Sequence, residues 1–542
     1  LTKQKNISMS HFYAQHISYR QTKSFSALVL DYIEQAPELK PFYAFEPTMA
    51  GLHEAMSARQ DAPVNRTLLQ SVLQKQYDTL PQQAKVQENI RLLADARCFT
   101  VCTAHQPNIF TGHLYFIYKI FHAIKLAGEL QKEYPDHFFV PVYYMGSEDA
   151  DIKELGSIQV HGKTYTWRTG QTGAVGRMVV DKELLGIINE LDGHLSVEPF
   201  GGQVVALMRG FYTIGKTISQ ATIELLHELF GKYGLIVLQP DERALKAAFV
   251  PVMQRELLEG FSQPLVAGTV SRFPEKYKVQ ASGRDINLFY LADGLRERIV
   301  ADDDGFAVVN TSLKFSKGQI LEELNEQPER FSPNVILRPL YQETILPNIA
   351  FIGGGGELAY WMELRKVFQA AWVPMPVMFL RNSFLLLPGQ INKLRTKYGI
   401  SDADLFLPEQ VLGTQVVQKL SDMPLTLGQY QEKLLDLYQQ MAAQVSGVDP
   451  TLSNHTLALH KQAQDKVSRL EKKLIRAARR RQKDAISQIH KIHQSVLPNG
   501  TLQERVDNIM PWISRYGFRL MDDILASSNA INPTFTILSE PA

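Results

Sequence analysis

The stretch from Cys98 to Lys119, CFTVCTAHQPNIFTGHLYFIYK, limits what this chain can fold into more than any other. Its opening, Cys98-Phe99-Thr100-Val101-Cys102, is apolar, rich in β-branched and aromatic residues, and has the length of a buried strand. His105-Gln106-Pro107-Asn108 then breaks the pattern, and Thr111-Gly112-His113 leads into a helix. That helix carries a polar stripe at Lys119, His122, Lys125 and Glu129, with Leu114, Ile117, Phe121 and Ile124 on its other sides. A strand, a polar turn holding a glycine, and a helix make the first unit of a nucleotide-binding α/β fold. In such folds ligands sit outside the carboxyl ends of the strands, where helix N-termini offer unpaired backbone N–H groups. The turn has the spacing of neither a P-loop nor G-x-G-x-x-G.

Bulk properties set the outer bounds. A chain of 542 residues makes two to four structural units with ample core. Its formal net charge of +1 removes any global attraction to a polyanion, so no nucleic-acid partner is expected. No apolar run is long enough to cross a bilayer and no signal-peptide pattern is present, so no membrane partner is expected. Cys98 and Cys102 are the only cysteines. They stand at places of the same parity on one strand and form no disulfide framework, which fits a reducing, cytoplasmic location. Without a second Cys or His pair at zinc spacing, they read as small core residues, and no structural metal is expected. The chain opens on Leu1 rather than Met, so the true start is expected upstream.

In chain order, residues 1 to about 95 read as helices, including Phe25–Tyr32 and one or two between Leu68 and Leu93. Phe138–Met145 is a second strand, ending in Gly146-Ser147-Glu148-Asp149-Ala150-Asp151. Carboxylates gathered at a strand tip repel one another unless a cation or hydroxyl groups meet them, or a helix dipole takes them up. From 156 to 230 the pattern is mixed, with a helical stretch at Gln203–Phe230, and reads as an insertion. Leu235–Leu238 is another strand, followed by a helix through Leu258. Leu265–Gly268 and Asn287–Tyr290 read as short strands, and Val300–Val309 as a hairpin.

The second informative stretch runs from Arg338 to Asn382. The apolar run Leu346–Ile352 feeds four glycines, Gly353, Gly354, Gly355 and Gly356, and a helix opens at Glu357 with Trp361, Leu364 and Phe368 on its apolar side. Four consecutive glycines imply unusual dihedrals or close approach to the main chain. Glu357 at the helix start disfavours an anion there, so an ammonium or a sugar hydroxyl is the better guest. Val377–Leu380 is the last core strand and ends at Arg381-Asn382. The expected fold is therefore α/β, with Cys98–Ala104, Phe138–Met145, Leu235–Leu238 and Val377–Leu380 parallel in one sheet.

Beyond 400 the character changes. Leu427–Val445 and His455–Val496 read as two helices joined by Ser446–Pro450, hence an antiparallel hairpin. Val467, Leu470 and Leu474 follow coiled-coil spacing, and the seam resumes after a skip at Ala485, Ile489, Ile492 and Val496. The basic run from Arg476 to Lys483 fits a solvated coiled-coil face. Leu497–Val506 reads as a capped helix start, with a final helix to Leu525.

Phe110-Thr111-Gly112-His113 loosely resembles the loop of class I aminoacyl-tRNA synthetases that ends in Gly-His. A wider resemblance joins several blocks: the turn with Leu114-Tyr115 and Lys119, Gly146–Asp151, Tyr277–Arg298, Arg338–Glu343, Gly353–Trp361, Arg381-Asn382-Ser383 and Pro498–Val506. In that order they resemble the BshC family, the cysteine-adding enzymes of bacillithiol synthesis. The resemblance implies a Rossmann-type parallel-sheet core with connecting insertions and a long antiparallel coiled-coil hairpin. The implied layout is 1–155 and 231–400 for the two parts of the core and 156–230 for the connecting insertion. The coiled coil would take 401–497, and 498–542 a C-terminal helix on the core. Many relatives have Pro where this chain has His113.

The implied reaction joins the carboxyl of L-cysteine to the amino group of glucosaminyl-malate. By analogy with class I synthetases, magnesium-bound ATP would activate the carboxylate as an adenylate. The implied catalytic residues are Glu148, Asp149 and Glu357. Substrates would be held by Asp151, Arg338, Tyr341, Glu343, Trp361, Arg381 and Asn382. The nucleotide would meet Gln106, Asn108, Thr111, Gly112, His113, Lys119 and the four glycines, and the coiled coil would make a homodimer. Two other readings stay open here: a non-catalytic nucleotide-binding dimeric scaffold, and a nucleotidyltransferase acting on another small acid.

Overall fold

The computed structural model describes residues 12–62, 64–281 and 283–541. The polypeptide divides into two compact units. One comprises residues up to Leu386 together with Leu502–Leu538; the other comprises Leu387–Thr501 and the last residues.

The first unit is built on a five-stranded parallel sheet in the spatial order Val377–Leu380, Asn348–Gly353, Cys98–His105, Phe138–Met145, Ile236–Leu238. All four strands expected from the sequence lie in it. The fifth, Asn348–Gly353, is the apolar run that feeds the glycines. These strands are buried on both faces, which is why they read as continuous apolar runs rather than alternating ones. Phe99, Val101, Phe139, Ile349, Ile352 and Phe379 pack against Leu52, Met56 and Leu126 in one cluster. Burial of each such side chain stabilises the fold by roughly 1.5–3 kcal/mol.

The chain starts in the central strand, adds two strands on one side, then crosses to add two on the other. The switch falls between Cys98–His105 and Asn348–Gly353, where an open α/β sheet forms its ligand crevice. Register aligns the strand ends there: His105 lies opposite Met145, and Gly353 opposite Leu380.

Leu114–Glu133 forms one 20-residue helix, and its polar stripe does not face water. Lys119 and His122 are buried. The His122 ring accepts from the Asn382 backbone N–H at 3.2 Å through Nδ1, and its Nε2 lies 2.9 Å from the Ala530 carbonyl. Burial lowers its pKa to about 4, so the ring is neutral. A helix period reveals which positions share a face, not what covers that face.

Other parts depart from the sequence reading. Leu265–Gly268 lies inside a helix, Ser262–Val270, whose buried face carries Val266 and Thr269, spaced by three residues as a helix and not a strand would place them. Pro498–Gly500 and Gln503–Arg505 are separate single turns, and the helix starts at Met510. Asn499, with φ of 55°, takes a left-handed conformation that ends the first turn. The insertion holds a small hairpin, Ser157–Val160 with Lys163–Thr166, followed by three helices between Lys182 and Phe230. A second five-stranded sheet, antiparallel throughout, runs through Leu288–Ala292, Leu295–Asp302 and Phe331–Pro333.

The second unit is helical. Gly428–Ser446 and Thr451–Arg481 run antiparallel, as their ties show: Leu427 N to the Glu471 carboxylate at 2.7 Å, Gln431 to Ser468 at 3.3 Å, and the Tyr438 and His460 rings 5.5 Å apart. The long second helix is interrupted at Gln482 and resumes as Lys483–Val496, near the skip in the apolar seam. Ala485, Ile489, Ile492 and Val496 are buried, whereas Leu470 is 58% exposed. Among the described residues no helix is long and apolar enough to cross a membrane.

Candidate active site

A cavity of about 590 Å³ opens at the switch point, all of it within the first unit. Strand ends, the turns after them and helix starts supply its walls. From the sequence-predicted set it brings together Gln106, His113, Lys119, Glu148, Asp149, Arg338, Gly354, Gly355, Gly356, Glu357 and Arg381. Asn108, Thr111, Gly112, Asp151, Tyr341, Glu343, Trp361, Asn382 and Gly353 do not line it.

Their positions explain why. Trp361 is fully buried and stacks on Phe351 with ring centres 4.1 Å apart. The Tyr341 hydroxyl donates to the Pro240 carbonyl at 2.7 Å. Glu343 is buried against Arg59 at 3.2 Å, and burial, tempered by Arg59, raises its carboxyl pKa to about 7. Asn382 donates to the Asn529 carbonyl at 2.8 Å and receives the Asn529 N–H at 2.8 Å.

The turn through Phe110, Thr111 and Gly112 is held by its own interior. All three have positive φ, at 49°, 71° and 62°. A Cβ on Gly112 would stand 2.7 Å from the Asn108 Cβ. The Asn508 side-chain amide donates to the Phe110 and Gly112 carbonyls at 2.8 and 2.6 Å, and the Phe110 N–H donates to the Tyr212 hydroxyl at 3.0 Å. The turn therefore sets the geometry of the helix that carries Lys119.

The glycine turn is different. None of Gly353 to Gly356 has positive φ, so unusual dihedrals do not explain them. Close approach explains two: a Cβ on Gly353 would meet the Phe351 ring at 2.8 Å, and one on Gly355 would meet Val29 Cγ2 at 2.7 Å. Gly354 donates its N–H to the Glu357 carboxylate at 2.8 Å. Glu357 has its ammonium within the chain: it pairs with Lys119, which also donates to the Ala104 carbonyl at 2.9 Å. Burial lowers the Lys119 pKa below its ordinary value, and Glu357 opposes that shift.

Arg381 is likewise engaged. It forks onto Glu504 at 2.9 and 2.7 Å, both groups buried, and its guanidinium lies over the Tyr115 ring at 5.0 Å. Glu148 pairs with the buried Lys246 and accepts from the Ser332 hydroxyl at 3.1 Å. Asp149 accepts from the Gln106 amide at 3.1 Å.

Three guanidinium groups in the walls carry no such carboxylate fork. Arg338 donates to Gln342 at 3.1 Å and to the Tyr360 hydroxyl at 3.0 Å, and lies over the Tyr144 ring. Arg296 lies 4.0 Å over the Phe289 ring, with weak contacts to Ser332 at 3.4 Å. Arg505 lies 5.8 Å over the Phe25 ring. Burial lowers the pKa of both Arg296 and Arg505. Cations desolvated in a concave wall without a forked partner suit planar anions, carboxylate or phosphate.

Sequence reasoning missed His105, Tyr115, Tyr144, Arg296, Tyr360 and Arg505. His105 ends the first strand, and Tyr144 lies one residue before the end of the second, so the strand-end rule was itself the available signal. The His105 Nε2 lies 3.4 Å from the Tyr115 hydroxyl, and burial, with Lys119 second, holds its pKa well below the usual value, leaving a neutral imidazole. Burial pushes the Tyr115 phenol up to about 12, Arg381 acting against it.

An open parallel sheet with a polar cavity at its switch point, in a chain that also carries an antiparallel helical hairpin, defines a Rossmann-like α/β protein with a coiled-coil domain. Family comparison agrees on both parts. The BshC N-terminal Rossmann-like domain of bacillithiol biosynthesis matches residues 12–382, and the BshC C-terminal coiled-coil domain matches residues 384–540. A relative from Christiangramia forsetii is 36% identical over 96% of this chain and 98% of its own length. Others are 38% identical in Cytophaga hutchinsonii, over 93% and 95%, and 30% identical in Salinibacter ruber, over 92% and 94%. Each is named "Putative cysteine ligase BshC". This chain belongs to the BshC family.

Proposed function

We propose that the chain is a ligase that joins the carboxyl of L-cysteine to the amino group of glucosaminyl-malate, the closing step of bacillithiol synthesis. The observation that carries this reading is the mixed charge of the switch-point cavity. Arg296, Arg338 and Arg505 offer anion-binding forks, and Glu148, Asp149 and Glu357 line the same cavity. A carboxylate and an ammonium do not condense unaided in water, and ATP would supply the activation. Arg338 and Arg296 would hold phosphate or carboxylate oxygens, an electrostatic role that strengthens in a cavity sheltered from water. Among the described residues no group of three or more His, Cys, Asp or Glu could hold a metal ion. A magnesium ion would then enter with the phosphates and take one or two carboxylates, Asp149 the best placed. When the amine attacks, the new C–N bond forms as the activating group departs, and the amine's proton must leave. It passes to water or to the departing group, since His105 in the wall, held well below its usual pKa by burial and by Lys119, is a weak proton acceptor.

The assay is direct: the chain with L-cysteine, glucosaminyl-malate and ATP, with bacillithiol measured by mass spectrometry and the nucleotide product identified. Absence of the amide product with every cosubstrate would sink the ligase reading. ADP in place of AMP would keep the ligase and replace the adenylate route. In cells lacking the chain, glucosaminyl-malate should accumulate as the thiol disappears.

The second unit is proposed to make a homodimer through its hairpin. The support is apolar exposure: Leu470 at 58%, Leu437 at 52% and Tyr430 at 52%. Replacing Leu470 and Leu474 together with Glu should give monomers in sedimentation with the first unit still folded. A mutant that still sediments as a dimer would move the interface elsewhere.

A further inference from the structure

The glycine turn stands between two cavities. Behind the first lies a second of about 470 Å³, walled by Phe25, Val29, Tyr277 and Lys278. The two share three residues: Gly355, Gly356 and Arg505.

Gly356 has none of the usual reasons to be glycine. Its φ lies outside the left-handed region, and a Cβ built on it meets nothing within 4 Å. It sits in the first turn of the helix Gly355–Glu363, where alanine is the better helix former. At Gly355, by contrast, the approach of Val29 is reason enough. The bare backbone at Gly356 therefore serves the space in front of it, and that space is the rim common to both cavities.

Charge gives the second cavity its character. Lys276 is neutralised by Asp31 at 3.0 Å and Glu38 at 2.8 Å, and the Tyr277 hydroxyl donates to Asp31 at 2.8 Å. Arg505, partly desolvated by its surroundings, and Lys278 both keep solvent-accessible surface, and no carboxylate lies within ion-pair distance of either among the described residues. In the first cavity Arg296 and Arg338 are taken by the phosphates and the cysteine carboxylate of the ligase reading, and Asp149 and Glu154, without an ion pair among the described residues, disfavour a further pair of carboxylates.

We propose that the two cavities form one bipartite site, in which the second takes the dicarboxylate end of the acceptor while its amino group reaches over Gly356 into the first. This rests on the ligase reading above, in which the acceptor is a sugar amine bearing a dicarboxylate. Arg505 meets one carboxylate at the rim and Lys278 the other within the second cavity, so the amine is delivered with its charged tail held away from the acids.

Titration calorimetry on the full chain tests it, with glucosaminyl-malate and D-glucosamine as probes. The variants are Lys278→Glu, which alters only the second cavity, and Gly356→Leu, which fills the rim. Each should weaken glucosaminyl-malate at least about tenfold, Lys278→Glu by losing a charge-assisted contact and Gly356→Leu by blocking the rim. Lys278→Glu should leave D-glucosamine within about twofold, and thermal melting should show both variants folded. Unchanged affinity for glucosaminyl-malate in both variants would overturn the proposal. So would equal weakening of both probes by Lys278→Glu, or undetectable binding of glucosaminyl-malate by the unaltered chain. The ligase reading fails separately: a chain that binds glucosaminyl-malate with this dependence but forms no amide keeps the bipartite site and loses the reaction.

Discussion

Two turns follow adjacent strands of one sheet, and they solve opposite problems. The turn from Gln106 to His113 is tight, left-handed at three successive residues, and tied by Asn508 and Tyr212 to the interior. Asn108 Oδ1 and Thr111 Oγ1 are buried there without a hydrogen-bond partner. The turn from Gly353 to Glu357 has ordinary dihedrals, leaves Gly356 bare and faces the cavity. Strain and buried polar atoms mark the turn that shapes the site; open backbone marks the one that faces it. Neither Asn108 nor Thr111 lines the cavity, so strain alone does not mark the cavity wall.

This contrast is best broken at Gly112. Gly112→Ala places a Cβ at positive φ and against the Asn108 side chain, so it should lower stability by about 3–4 kcal/mol in chemical denaturation. A loss under 1 kcal/mol would mean the turn can relax, and the contrast with Gly356 would fall.

Glu357→Gln should come next. It strands the Lys119 ammonium in a buried site, and at neutral pH a loss of about 2 kcal/mol is expected, discounted because Glu357 is partly exposed. The sign against pH follows from Lys119. Its folded pKa is already below the unfolded value of 10.5, so the folded state disfavours the proton. Removing Glu357 widens that gap. The deficit of the variant should therefore shrink as pH rises towards 10.5, where the lysine is neutral in both states. A deficit independent of pH would place the cost in packing rather than in the stranded charge.

Asp507 sharpens the other side of the comparison, because its carbonyl accepts the Leu114 N–H at 2.8 Å and so anchors the first turn's helix. Burial raises its carboxyl pKa to about 7, Trp512 acting against the shift. A carboxyl with a raised folded pKa adds stability below its unfolded value near 3.8. That contribution is lost as pH rises to about 7. Asp507→Asn should flatten this slope, worth roughly 1–2 kcal/mol for a half-buried group, while unchanged steepness would assign the slope elsewhere.

The smallest stability effect belongs to Gly356→Ala, which should be neutral or stabilising by up to about 1 kcal/mol. Destabilisation beyond that would mean the helix start needs its glycine for the fold.

Local pattern was enough to find four of the five core strands, the cavity's place at their carboxyl ends and the antiparallel hairpin. Each of these follows from the order of apolar and polar residues along a short segment. The blocks Gly353–Trp361 and Pro498–Val506 also stood out as unusual before any geometry was known. What pattern could not reach were the partners. Glu357 reads as a free carboxylate awaiting an ammonium, and Arg381 as a guanidinium awaiting a carboxylate. Folding supplies both from distant parts of the chain, as Lys119 and Glu504. Lys119 and His122 look like a solvated stripe because helical period is blind to what packs on it, and a buried polar network has the same period as a wet one. Local pattern thus settles those core strands, the two hairpin helices and the end of the sheet at which the crevice opens. Folding alone shows which charges are already paired and which, like Arg338 and Arg505, line the cavity without a carboxylate at ion-pair distance among the described residues, because pairing is a property of distance in space and not of order along the chain.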